Sequence, residues 1–454
     1  MPETWSSSVD AHLNWTPGTG STGLADAIRA AIRDGRWRAG VVVPSTRALA
    51  HDLGLARGTV TRVYADLAAE GYLTTSQGAP TRVATAGAEP KTGPPAAGRA
   101  RAPRWSLEPG RPDPSTFPRD QWLAATKRVV QHAPNSAFDY GDPAGALPLR
   151  ETLAAYLGRA RGVRADPSRI VVCSGFSHAI TVLSRALRDL GHGEMAFEDP
   201  SYPLFRELAS AGGQRVVGVP VDDDGLRVAE LRSPTAVVTP AHHFPLGVTL
   251  APARRTALVR SGAVVVEDDY DGEFRFDRQQ VGALQALAPE QVVYAGTAGK
   301  TLSPSLRLGW MVLPRSLVDP VLAAVVASGA QPPTLNQLVL ADLISSGAYD
   351  RHVRRCRLDY RSRRDRLVAA LPPHLEVRGI SAGLHLVVPL SLDAEADLPA
   401  VAARHSLGVE PLSPLWIDRS ARRGGVVVGY GASSKPAFGG ALAALLAVLH
   451  ELTG

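Results

Sequence analysis

The sequence predicts an α/β protein that carries a small helical module at its N-terminus. Three observations lead there. From Trp105 onward, short β-branched runs alternate with amphipathic stretches, the pattern of a mainly parallel sheet flanked by helices on both faces. Before residue 85, three helical stripes are followed by two short strands. Between these parts, residues 85–104 are rich in Pro, Ala, Gly and Arg and offer almost nothing to bury, so they read as a linker partly extended by its prolines. A chain of 454 residues is too long for one core, and these parts supply its expected division into 1–84, 85–104 and 105–454.

In the first module, Leu24, Ile28, Ala31 and Ile32 share one helical face, and Gly35 ends that helix. Pro44-Ser45-Thr46 starts a second helix, with Ser45 placed to cap it and Leu49, Ala50 and Leu53 facing inward. Gly54 supplies the turn. Val60, Val63, Tyr64 and Leu67 stripe a third helix that stops at Gly71, and strands at 72–75 and 81–83 flank Ser76-Gln-Gly-Ala-Pro80. Three helices and a hairpin make a winged helix-turn-helix. Arg57, Thr59, Thr61 and Arg62 stand near the start of the third helix, where such a fold meets the major groove. Arginine there pairs with guanine O6 and N7 or with phosphate, and threonine does either weakly. Arg47, opening the second helix, suits a phosphate. Taken singly, each of these arginines reads better as a solvated surface charge; together, in this order and geometry, they indicate a double-stranded DNA operator as partner.

In the large part, strands are expected at 170–173, 194–198, 214–218, 236–239, 263–267 and 291–294. Strands at 384–389 and 425–430 belong to a smaller α+β C-terminal subdomain, roughly 335–454, closed by a helix from Ala437 to Leu452.

Composition excludes several classes. Hydrophobic residues make up 45% of the chain and charged residues 20%, an ordinary soluble balance, and no apolar run is long enough to span a membrane. The start, Met-Pro-Glu-Thr-Trp, lacks a basic stretch followed by an apolar one, so no secretion signal is expected. Cys173 and Cys356 have no CxxC neighbour or histidine cluster, which argues for a reducing cytoplasmic setting and against a disulfide framework or a metal site. A net charge of +6 permits a polyanionic partner without requiring one.

The chemistry concentrates in Tyr294-Ala-Gly-Thr-Ala-Gly-Lys300-Thr-Leu-Ser-Pro-Ser-Leu-Arg307-Leu-Gly-Trp310, and in Val264-Val-Val-Glu-Asp268-Asp-Tyr270 upstream of it. A lysine in a small-residue turn, an acid ending an apolar strand and donors suited to a phosphate are what pyridoxal phosphate needs. Lysine forms the Schiff base, the acid pairs with the pyridinium nitrogen, and arginine and hydroxyls hold the phosphate. Lys300 is the candidate catalytic lysine. Asp268 is the candidate acid, with Asp269 as its competitor, and Tyr270 can donate to the cofactor's phenolic oxygen. Backbone N–H groups of Phe176 and Ser177 at a helix start are expected to take the phosphate, joined by the Ser177 and Thr297 hydroxyls and Arg307.

Gly35-Arg-Trp-Arg-Ala-Gly-Val-Val-Val-Pro-Ser-Thr-Arg-Ala-Leu-Ala50 and the run from Leu53 to Leu73 resemble the GntR family of bacterial regulators. The sequence departs from that pattern at Ala56, where the family usually has a capping serine, and in the wing turn Gly78-Ala-Pro80-Thr. Tyr140 to Leu157, Ser174-Gly-Phe-Ser-His178, Glu198-Asp-Pro-Ser-Tyr202, Glu267-Asp-Asp-Tyr270 and the lysine segment resemble fold-type I aminotransferases. The whole chain looks like a MocR-type regulator, a family that joins the two parts. The resemblance implies that Asp268 rather than Asp269 takes the ring nitrogen. It implies that Tyr202 stacks on the cofactor ring, a plain core tyrosine being the other reading. It also implies that Tyr140 reaches the phosphate of a neighbouring subunit in a head-to-tail homodimer.

Two departures from working aminotransferases bear on function. The usual Asn-Pro-x-Gly contact is His242-His-Phe244-Pro-Leu-Gly here. The arginine that holds a substrate α-carboxylate, three residues before a C-terminal aromatic, is Val427, before Tyr430. Arg206, Arg422 and Arg423 are candidate substitutes for effector binding. The expected function is a pyridoxal-phosphate-dependent DNA-binding transcriptional regulator that senses an amine, an amino acid or the cofactor itself. The alternative is an active aminotransferase with a vestigial DNA-binding module.

Overall fold

A computed structural model describes residues 13–76, 79–84, 103–276 and 281–453. They form two compact units that divide between residues 101 and 102. Residues 85–102 of the expected linker, and Gln77 and Gly78 of the expected wing turn, lie outside the described residues.

The smaller unit contains α1 (Gly20–Arg33), α2 (Thr46–Asp52) and α3 (Arg57–Ala69), then β1 (Leu73–Thr74) and β2 (Arg82–Val83) paired antiparallel. Leu24, Ile28, Leu49, Val60 and Leu67 meet around Trp37 in one core. The two helix starts differ. Ser45 caps α2 by accepting a hydrogen bond from the Ala48 N–H at 3.1 Å, whereas Ala56 precedes α3 with extended backbone and no oxygen to offer.

In the larger unit the elements run in chain order as β3 (Trp105–Ser106), α4 (Arg119–His132), α5 (Leu147–Arg161), β4 (Ile170–Cys173), α6 (Phe176–Asp189), β5 (Glu194–Asp199) and α7 (Pro203–Ala211). Next come β6 (Arg215–Asp222), β7 (Gly225–Leu226), β8 (Thr235–Val238), α8 (Pro252–Arg260), β9 (Val264–Asp269), β10 (Val292–Thr297) and β11 (Gly309–Val312). Then follow α9 (Val318–Ser328), α10 (Thr334–Ser345), α11 (Ala348–Ala370), β12 (His385–Pro389), α12 (Leu392–Arg404), β13 (Leu407–Gly408), β14 (Glu410–Pro411), β15 (Gly425–Gly429) and α13 (Phe438–Thr453).

Eight strands form the main sheet in the order β4-β11-β10-β9-β8-β5-β6-β7. The run β10-β9-β8-β5-β6 is parallel, and each of its strands is a run the sequence marks. β11, which the sequence reading leaves out, is antiparallel to both β10 and β4. Its run Gly-Trp-Met-Val has a single β-branched residue, so β-propensity does not single it out. A second sheet, β12-β15-β14, is antiparallel throughout. The pleat of β15 sends Val426 and Val428 into a core with Leu445 and Leu449 of α13, and Val427 into a separate cluster with Val387, Leu412 and Leu415.

One buried ion pair ties this subdomain to the segment after β3. Arg363 of α11 donates to Asp113 Oδ2 at 2.7 Å and to the Ser433 carbonyl at 2.6 Å, with both charged side chains almost fully enclosed. No helix of the described residues is long and apolar enough to cross a membrane.

The uncapped start of α3 gives a test. Ala56→Ser is expected to stabilise the smaller unit by about 1 kcal/mol, and Ser45→Ala to destabilise it by a similar amount, in urea unfolding.

Candidate functional site

The carboxyl ends of the main-sheet strands converge on one cavity of about 970 Å³, where open α/β sheets bind their ligands. β4 leads into Ser174 and Gly175, β5 into Glu198 and Tyr202, β8 into Thr239, β9 into Asp268 and Tyr270, and β10 into Thr297, Gly299 and Lys300. Phe176, Ser177 and Arg307 complete the wall on one side.

The strand pleat separates the acids of β9. Glu267 and Asp269 point to one face. Glu267 accepts the Leu284 and Gln285 N–H groups at 2.7 and 2.9 Å. Asp269 takes Arg161 in a two-pronged pair at 2.7 and 2.9 Å, and the Tyr294 hydroxyl at 2.7 Å. Asp268 points the other way, lines the cavity, and makes no side-chain hydrogen bond among the described residues. The competing acid is therefore fully engaged by structure, and Asp268 is the one that faces the cavity. Burial pushes its carboxyl well above the usual range, while the Lys300 charge pulls it back.

Lys300 follows β10 in the small-residue turn. Its Nζ donates to the Gly110 carbonyl at 2.5 Å. Burial lowers its pKa, against the opposing pull of Asp268. The pair is thus pressed toward its neutral form, which leaves a nucleophilic amine and a carboxyl that wants a cationic partner. Pyridoxal phosphate fits these residues: a pyridinium N–H satisfies Asp268, and an aldehyde carbon suits Lys300. At the other end, α6 starts at Phe176 with no side-chain cap, so its first-turn N–H groups have no capping acceptor beside the cavity. Arg307 stands there in the left-handed region, φ 53°, a conformation that costs roughly 1–2 kcal/mol for a residue with a side chain. The Thr297 hydroxyl accepts the Gly299 N–H at 2.9 Å and donates to the Leu308 carbonyl at 3.2 Å. Beneath this turn the buried Cys173 thiol is pushed up to about 12 by desolvation.

Tyr270 is oriented by residues the sequence reading leaves without a role. Its hydroxyl lies 3.2 Å from His242 Nδ1, and that nitrogen lies 2.9 Å from Asp271 Oδ2. His385 stacks near His242, ring centres 4.7 Å apart, with its Nε2 3.0 Å from the Pro245 carbonyl. The three side chains bring potential ligand atoms within 4.8 Å of one another, a grouping that residue spacing in the chain does not reveal. Tyr202 is partly exposed to the cavity, edge-on to Phe205 and Phe244, so the aromatic that replaces the usual Asn buttresses it.

Other residues fall elsewhere. Tyr140 is wholly exposed and does not line the cavity of its own chain. Arg206 lies off the cavity wall and spends its guanidinium on the Leu415 carbonyl at 2.9 Å. Arg422 and Arg423 are exposed and also off the wall. None of the three candidate substitutes for the carboxylate clamp therefore reaches the site, because each points to backbone or solvent. Val427 is fully buried among apolar side chains. The wall instead holds Glu108, Arg111 and Glu410, from segments about three hundred residues apart in the chain.

On the smaller unit, α3 turns Val60, Val63 and Leu67 inward and leaves Arg57, Thr61 and Arg62 exposed, with Thr59 half-buried. The Thr61 hydroxyl donates to the Arg57 carbonyl at 2.9 Å, and Arg62 donates to Ser21 of α1 at 3.1 Å. Arg47 is exposed on the first turn of α2.

Glu198 gives a pH test. It is buried, its Oε2 accepts the Thr239 N–H at 2.9 Å and the Thr239 hydroxyl at 2.6 Å, and burial raises its pKa from 4.5 to about 7. The folded state therefore keeps a proton that the unfolded chain releases. The contribution is complete below pH 4.5 and lost as pH rises to 7. In cofactor-free protein, the unfolding free energy of wild type should fall relative to that of Glu198→Gln by up to about 3 kcal/mol across that window, read by denaturation at a series of pH values.

Comparison with known proteins agrees with both halves of this geometry. Residues 21–83 match the bacterial regulatory proteins of the gntR family, and residues 111–409 match aminotransferase class I and II. The chain is 33% identical over 441 residues to a probable rhizopine catabolism regulatory protein, MocR, of Rhizobium meliloti, covering 90% of this chain and 89% of that one. It is 31% identical over 426 residues to the pyridoxine biosynthesis transcriptional regulator PdxR of Corynebacterium glutamicum, covering 90% and 91%. Among solved structures, an archaeal alanine:glyoxylate aminotransferase superposes with a TM-score of 0.70 at 25% identity, over 77% of this chain and 91% of that one. An α-aminoadipate aminotransferase from Thermus thermophilus shares the fold with a TM-score of 0.67 at 22% identity, over 76% and 92%. A DNA-reading module and a cofactor-binding domain in one chain, matched along nearly its whole length, place this protein in the MocR-type family of pyridoxal-phosphate-dependent transcriptional regulators.

Proposed function

We propose that this regulator uses its large domain to sense an amine-bearing effector rather than to turn amino acids over. The observation that carries the reading is a cofactor floor that is complete beside a substrate wall that is not. Lys300 and Asp268 face one cavity, while the position expected to hold a carboxylate is the buried Val427. Without a two-pronged arginine contact, an amino acid loses orientation that transamination requires. The rival reading, a working aminotransferase with a vestigial module, draws support only from the intact Lys300 and Asp268.

Pyridoxal phosphate supplies an aldehyde that takes up primary amines reversibly and a ring nitrogen that gains from a facing carboxylate. Lys300 would hold it, Asp268 would face its ring nitrogen, and the start of α6 with Ser177 and Arg307 would hold its phosphate. Tyr202 would cover the ring, and Tyr270, fixed by His242 and Asp271, would donate toward the phenolic oxygen. An effector amine competes with Lys300 for the same place. If it binds one arrangement of the large domain better than another, the difference in affinity is the signal passed to the DNA-binding unit. The named relatives are regulators of rhizopine catabolism and of pyridoxine biosynthesis, so the pathways under control differ within the family. The fully exposed Tyr140 supports a head-to-tail homodimer in which this side chain reaches the partner's cavity. Arg57, Thr59, Thr61 and Arg62 would read the operator and Arg47 would hold a phosphate, in the cytoplasm where that DNA lies.

Borohydride reduction of protein incubated with pyridoxal phosphate is expected to leave a phosphopyridoxyl group on Lys300 by peptide mass spectrometry. Lys300→Ala should lose both that peptide and the visible absorbance; absorbance retained in the variant would overturn the assignment. On the DNA side, Arg57→Ala is expected to weaken operator binding by about 1–3 kcal/mol in a gel shift at fixed salt. Unchanged binding removes Arg57 from the interface.

A further inference from the structure

The charges on the cavity wall divide into those that face the proposed cofactor, those with a protein partner, and one with neither. Lys300, Asp268 and Arg307 stand where the cofactor fits. Glu198 is held by Thr239. Arg111 and Glu108 pair with each other, Nη1 to Oε2 at 3.0 Å. That leaves Glu410. Its side chain lines the cavity, is half-buried, and makes no hydrogen bond or ion pair among the described residues.

Its place in the sheet is informative. Glu410 is on β14, directly across from Val427 of β15. The small sheet therefore presents an acid at the cavity, and a valine where a carboxylate-binding arginine was expected. Glu410 shares the cavity wall with Tyr202, the candidate ring-covering residue, whose phenol pKa is raised by burial first and by the Glu410 charge second. Burial raises the Glu410 pKa too, Glu108 adds to the rise, and Arg111 opposes it. A partly desolvated carboxylate with no partner is stabilised by a cation, and it repels a ligand carboxylate.

We infer that the effector site is built for a compound with two cationic groups and no carboxylate beside the reacting amine, with one amino group directed to Lys300 and the other held by Glu410. This inference rests on the reading that the cofactor-bearing cavity senses an amine. Arg111 does not reverse it, because Glu108 is already paired with that guanidinium and Glu410 adds a second acid, so this group of three carries a net negative charge.

The test is calorimetric titration of the full-length protein loaded with pyridoxal phosphate, using four probes of similar length: 1,4-diaminobutane, 1,5-diaminopentane, butylamine and 4-aminobutanoate. At least one diamine is expected to bind tenfold or more tightly than butylamine and 4-aminobutanoate, and Glu410→Gln is expected to bring that diamine down to the butylamine level. Butylamine or 4-aminobutanoate matching both diamines in wild type overturns the inference but leaves amine sensing intact. A diamine preference that survives in Glu410→Gln overturns the role of Glu410. No heat from any probe, in protein that keeps its visible cofactor band, overturns the amine-sensing reading as well.

Discussion

The alternation of three acids along the last turn of pleat in β9 is the constraint on which the cavity depends. A strand sends successive side chains to opposite faces, so Glu267, Asp268 and Asp269 cannot all serve one purpose. Two of them are consumed by structure: Glu267 by the N–H groups of Leu284 and Gln285, and Asp269 by Arg161 and Tyr294. Arg161 comes from the end of α5, so the same contact that silences Asp269 anchors a helix against the strand's carboxyl end. The remaining acid faces the cavity with its charge poorly solvated. That is an unfavourable arrangement for the polypeptide alone and a favourable one for a ligand bringing a positive nitrogen.

From that point the electrostatics of the cavity follow in sequence. Burial biases both Lys300 and Asp268 toward neutrality, with each charge opposing that bias in the other, and a neutral amine suits covalent capture of an aldehyde. The phosphate end relies on helix geometry, with Arg307 held in an uncommon backbone conformation beside it. The opposite wall departs from what an enzyme acting on α-amino acids would carry. Its arginine is matched by Glu108, and its surplus charge is negative. The residues proposed to hold the cofactor and the position proposed to have lost a carboxylate contact belong to different sheets. The first comes from the ends of β4, β9 and β10, the second from β14 and β15.

Much of this was legible in the chain. The continuous β-branched runs marked the parallel strands because both faces of such strands are covered, and the helical stripes of the first module carried its core directly. Lys300, Asp268, Tyr270, Phe176 and Ser177 could be picked out because each sits at a strand end or helix start, and the structure brings all five to one wall. Choosing Asp268 over Asp269 needed the family resemblance, because the choice is made by Arg161, over a hundred residues away. Glu410 carried no sequence signal, since an acid beside a proline in a short strand looks like any surface position. His242 was visible only as a departure from a motif; its link to Tyr270, Asp271 and His385 exists only once three segments are folded together.

Burial of Lys300 has a consequence for the whole chain's behaviour toward aldehydes. Of its 49 lysines and arginines only four are lysines, at 91, 127, 300 and 435, and guanidinium groups do not compete for carbonyl carbon under these conditions. Lys127 and Lys435 are exposed to water. Among the described lysines, the amine inside the cavity is the one whose surroundings favour the free base. Among the described residues rival amines are few, so a scarce, promiscuous electrophile meets this address with little competition.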